Sequence, residues 1–125
     1  MLTSRFNRPQ AVILCLEDNP TYLQLRKAVL EQAGYRVLSA STGTEAIAIL
    51  REAPVCLVLS DHMLHATSGS DLAKEMKAIK RDVPVILHSG HVPDSLQNVD
   101  GFINKSESVS SFLELVHGFV KRYCE

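Results

Sequence analysis

Ala11-Val-Ile-Leu-Cys-Leu16, followed at once by Glu17-Asp-Asn-Pro20, decides how the rest of the chain is read. An apolar run without alternation has the composition of a strand buried on both faces, the habit of parallel sheets. Three further runs match it: Tyr35-Arg-Val-Leu-Ser-Ala40, Val55-Cys-Leu-Val-Leu-Ser60 and Val83-Pro-Val-Ile-Leu-His88. Gly101-Phe-Ile-Asn104 is a weaker fifth. The intervening segments have helical period, and β-α-β-α order predicts an α/β fold: a parallel sheet with helices on both faces.

The helices declare their ends. Asn19-Pro20 supplies a capping side chain and a proline at the first helical position, and Gly34 stands where a left-handed C-terminal residue belongs, so helix one is expected over about Pro20 to Ala33. Thr42 with Glu45 forms a capping box for helix two, whose apolar stripe is Ala46, Ile49, Leu50 and Ala53. Helix three, about Ser70 to Ile79, buries Leu72, Met76 and Ile79; the last helix buries Val109, Phe112, Leu113, Val116 and Val120. Between the fourth and fifth strands, Ser89 to Asp100 contains Pro93 and only a thin pattern of Val92, Leu96 and Val99. A parallel crossover needs about a dozen residues at minimum, so the fourth helix is expected to be short or irregular.

With 125 residues, 46% of them hydrophobic, the chain suits one domain, expected over 11–125 behind a flexible lead-in over 1–10. Its 13 Lys and Arg nearly cancel 14 Asp and Glu, which argues against nucleic acid as a partner. Cys15, Cys56 and Cys124 are odd in number and widely spaced, which predicts free thiols in a reducing compartment and a cytoplasmic location. The run after Arg5 and Arg8 is too short for a signal peptide, and no segment approaches the roughly 18 apolar residues of a membrane span.

In an open parallel sheet, ligands bind at the carboxyl ends of the strands. Those positions hold Glu17 and Asp18 after strand one, Asp61 after strand three, Ser89 after strand four and Lys105 after strand five. Three carboxylates brought together repel one another unless a cation neutralises them, and an all-oxygen site suits Mg²⁺, with Mn²⁺ as a substitute. A metal beside a carboxylate points to phosphoryl chemistry. Asp61 is then the nucleophile, Lys105 neutralises phosphoryl oxygens and the Ser89 hydroxyl donates a hydrogen bond.

This order of residues resembles the receiver domain of two-component response regulators from about Ala11 to Tyr123. The resemblance implies a flavodoxin-like three-layer sandwich of strand order 2-1-3-4-5. It also implies Glu17 and Asp18 as the acidic metal pair, Asp61 as phosphoacceptor, Ser89 as switch hydroxyl, Phe102 as switch aromatic, and Lys105 as the site lysine. Met63 would lend a backbone carbonyl to the metal, Gly69 would close the loop before helix three, and Met63 and His91 would tune hydrolysis of the acyl phosphate. A histidine kinase, a histidine phosphotransfer protein or a small phosphodonor would supply the phosphoryl group. A downstream protein or adjacent output domain would read the altered face of helix four, strand five and helix five. Such a module is not an enzyme beyond modest autodephosphorylation.

Four positions depart from the family's habit: His65 and Ser106 where prolines are usual, Glu17 in place of the more frequent aspartate, and the short Ser89-to-Lys105 interval. The missing prolines and the short fourth segment count slightly for the main alternative, a phosphorylation-independent binding module of the same fold, and the intact acidic residues count against it. A remoter alternative is a transition-metal site using His62 and His65, with His88 and His91 nearby, since imidazole is a common ligand for Zn²⁺ or Ni²⁺. Alternation, however, sends His88 to the face opposite Ser89. A dinucleotide-binding glycine motif is absent after strand one, where Glu17-Asp-Asn-Pro20 stands.

Overall fold

A computed structural model describes residues 10–64, 67–93 and 95–124. The elements run β1 (Val12–Leu16), α1 (Pro20–Gln32), β2 (Arg36–Ala40), α2 (Gly43–Glu52), β3 (Leu57–Asp61), α3 (Gly69–Ile79), β4 (Val85–Ser89), β5 (Gly101–Asn104) and α4 (Val109–Cys124). The five strands are parallel in the order β2-β1-β3-β4-β5. This is the expected flavodoxin-like sandwich, and the expected boundaries differ from the observed ones by at most two residues.

Alternation along β1 divides the core in two. Val12, Leu14 and Leu16 meet Ala46 and Leu50 of α2 and Leu72, Ala73 and Met76 of α3. Ile13 and Cys15 meet Leu30 of α1 and Phe112, Val116 and Val120 of α4. The central strands β1, β3 and β4 are therefore buried at every position, which is why their runs lack alternation. The caps form as expected: the side chains of Asn19 and Thr42 accept from the N–H groups of Tyr22 and Glu45. Gly34 has φ +103°, a left-handed conformation that suits glycine.

Between β4 and β5 the described residues contain no helix, in keeping with the expected irregular segment: Pro93 interrupts it, and a turn closes with Val99 N–H donating to Leu96 O and Asn98 at φ +66°. Two expectations are corrected. Val109, the first residue of α4, is 60% exposed and stands outside the core. The second correction concerns cysteine. Cys56 and Cys124 are joined as a disulfide, with Cα atoms 5.7 Å apart, leaving Cys15 as a buried thiol. The pairing follows from topology: α4 runs antiparallel to the sheet and returns its last turn to the entrance of β3. Cysteine usage thus no longer argues for a reducing compartment.

The lead-in expected over 1–10 lies almost wholly outside the described residues. Of it, Gln10 donates its side-chain amide to Gly34 O at 3.0 Å. No helix among the described residues is long and apolar enough to cross a membrane.

Candidate phosphoryl and metal site

The same alternation that builds the α1/α4 core continues past it. Glu17 follows Ile13 and Cys15, Asp61 follows Leu57 and Leu59, and Lys105 follows Ile103, so all three fall on one side of the sheet at its carboxyl edge. Asp61 is the last residue of β3 and Ser89 the last of β4, one position inside where the sequence put them.

Lys105 Nζ lies 2.8 Å from Asp61 Oδ2 and 3.2 Å from Glu17 Oε1. Asp61 Oδ1 accepts the Met63 N–H at 3.1 Å, while Glu17 Oε2 accepts the Asn19 N–H at 3.0 Å. Glu17 and Asp61 are buried and Asp18 is half-buried. One carboxylate oxygen from each of the three can be chosen so that all lie within 4.8 Å of one another. That donor set, oxygen only and clustered, fits a small hard divalent cation such as Mg²⁺.

Lys105 is aimed without a following proline. Its N–H donates to Ser89 O at 2.9 Å, and the Asn104 side chain captures the Ser106 N–H at 2.9 Å. Gly69 closes the loop after β3, with its N–H donating to His62 O at 2.7 Å. A Cβ there would stand 2.7 Å from Asp61 O and 2.8 Å from His62 Cα. Only glycine fits such an approach to backbone.

The remaining predicted residues separate into two groups. Ser89 is buried, and its hydroxyl accepts the His91 N–H at 3.3 Å; Phe102 is half-buried on β5. Met63 and His91 are exposed at the mouth of the site. His88 is buried against Phe112, with ring centroids 5.0 Å apart. Burial, then the charges of Arg26 and Lys105, push its pKa down to about 3 from 6.5. His65 lies outside the described residues. Among the described residues, the group of carboxylates includes no histidine, and His62 Nδ1 is buried without a partner.

Arg26 was missed by the sequence reading. It is buried on the inner stripe of α1 between Leu23 and Leu30, and its Nη2 lies 3.4 Å from Glu17 Oε1. The available signal was a charged residue at an apolar helical position.

Fold and site together define a doubly wound α/β protein with a cation-ready acidic cluster at the carboxyl edge of its sheet. The chain belongs to the response regulator receiver domain family, whose model matches residues 13–117. It is 32% identical over 101 residues to the transcriptional regulatory protein GlrR of Escherichia coli K12, covering 76% of this chain and 23% of that protein. It is 26% identical over 116 residues to the polar-differentiation response regulator DivK of Brucella ovis, covering 86% and 94%. The response regulator TrrA of Thermotoga maritima, solved in complex with Mg²⁺-BeF, superposes with a TM-score of 0.80 at 26% identity, covering 87% of this chain and 98% of that one. The chain spans 23% of the length of GlrR and 40% of GtcR, a response regulator of Aneurinibacillus migulanus.

Proposed function

We propose that this receiver domain takes a phosphoryl group onto Asp61 in a Mg²⁺-dependent step, from a histidine kinase, a histidine phosphotransfer protein or a small phosphodonor. The observation that carries this reading is Lys105 Nζ at 2.8 Å from Asp61 Oδ2, beside two further carboxylates. Glu17, Asp18, Asp61 and the Met63 carbonyl would hold the metal, whose charge would offset that of the phosphoryl oxygens. An Asp61 carboxylate oxygen attacks phosphorus, the P–N bond of a phosphohistidine breaks, and the imidazole leaves with the bonding pair and takes up a proton. Lys105 moves from the carboxylate to a phosphoryl oxygen.

Ser89 then donates its hydroxyl to the phosphoryl group, and Phe102 follows into the space beside it. The surface that changes is built from the described residues between β4 and β5, β5 itself and α4, and a downstream protein or adjacent output domain reads it. Met63 and His91 stand where they would govern access of water to phosphorus. Exposed Tyr22, Leu25 and Val109 offer a partner an apolar rim beside the site. The cytoplasm is the proposed setting, where the reducing pool would open the Cys56–Cys124 pair.

Intact mass after incubation with Mg²⁺ and acetyl phosphate tests the reading. Wild type should gain one phosphoryl group, dependent on Mg²⁺, and Asp61→Asn should gain none. An unmodified wild type would favour a phosphorylation-independent binding module.

A further inference from the structure

The inner face of α1 carries a charge that a core stripe does not ordinarily bear. Arg26 is 8% exposed, follows Leu23 by three positions and precedes Leu30 by four, and points its guanidinium at Glu17 rather than at water. Glu17 Oε1 therefore faces two cations, Arg26 at 3.4 Å and Lys105 at 3.2 Å. The two differ in what they can do when a third cation arrives. The Lys105 side chain is 30% exposed on a flexible stem and can turn away; Arg26 is enclosed by packed neighbours and cannot.

Resting on the metal-site reading above, we infer that Arg26 sets the affinity of the acidic site for its divalent cation, its fixed positive charge offsetting Glu17 and weakening Mg²⁺ binding. In the absence of metal the same contact compensates the buried Glu17 carboxylate, so the site is held together before the cation enters. Glu17 gives the longer reach that lets one carboxylate stand at the metal edge and still meet Arg26 on α1. The fixed charge acts across a partly buried space, where screening is weaker than in water, so its removal should be readily measurable.

Calorimetric titration of Mg²⁺ into the full chain tests this with three variants whose folding is verified by circular dichroism. Arg26→Gln keeps a hydrogen-bond donor without charge, Arg26→Met keeps bulk alone, and Arg26→Lys keeps the charge. Arg26→Gln and Arg26→Met should bind Mg²⁺ about tenfold or more tightly than wild type, with Arg26→Lys within about threefold of it. Either neutral variant suffices if the other fails to fold. Neutral variants that bind as wild type does, or more weakly, would overturn the role assigned to Arg26 while leaving the metal site standing. No Mg²⁺ binding in wild type or in any variant would overturn the metal reading and this inference with it; binding that appears only in the neutral variants would support both.

Discussion

Gly69 and His88 show how single residues frame the site from opposite sides. At Gly69 the atoms that a Cβ would strike belong to the backbone of Asp61 and His62, which cannot swing aside. Gly69→Ala should cost about 1–3 kcal/mol, the usual range for overpacking, read as a lowered urea midpoint; an unchanged midpoint would refute the close approach. His88 stays neutral in the fold because burial and the charges of Arg26 and Lys105 oppose its protonation, with Asp61 acting weakly in the other sense. Between pH 6.5 and about 3 the unfolded chain therefore binds a proton here that the native state does not. Stability from this group is fully present above pH 6.5 and declines as pH falls, by up to ~1.4 kcal/mol per pH unit. Urea unfolding at pH 7 and pH 5 should show a smaller loss in His88→Leu than in wild type, and equal losses would contradict the assignment.

At the scale of elements, the described residues between β4 and β5 form no helix. Asp100 anchors the end of that segment: the Oδ2 atom accepts the Val85 N–H at 2.8 Å and pairs with Lys77 of α3 at 2.6 Å, while the Asp100 N–H donates to Val85 O at 2.8 Å. One side chain thus fixes the entrance of β4 and ties it to α3. Asp100→Ala leaves the buried Val85 N–H without its acceptor and should cost about 1–3 kcal/mol, with faster amide exchange at Val85. Unaltered exchange there would show that water or a neighbouring carbonyl replaces the carboxylate. No helix is described between β4 and β5, so Asp100 does the anchoring that a packed helix would otherwise share.

Across the whole molecule, the Cys56–Cys124 bond closes a sequence separation of 68 residues and fastens the last turn of α4 to the entrance of β3. In oxidised protein Cys124→Ser should lower stability by roughly 2–4 kcal/mol, and a reductant should bring wild type down to the same unfolding midpoint. A variant as stable as oxidised wild type would refute a stabilising bond. This pairing was illegible in the sequence because Cys56 and Cys124 become neighbours only once α4 has run back along the sheet. Arg26 was illegible for a related reason: the stripe Leu23, Arg26, Leu30 marks a buried face, but not the Glu17 carboxylate that α1 brings opposite it. By contrast the strands, caps and Gly34 were readable, since local periodicity and backbone preference act over a few residues. Glu17, Asp18, Asp61 and Lys105 were readable as a set because parallel strands end at a common edge, and alternation assigns each its side. The sequence by itself determined the α/β order and the residues at that edge. Tertiary structure alone decided which charges pair there, that Gly69 lies against the Asp61 backbone, and which cysteines meet, since each depends on contacts between elements distant along the chain.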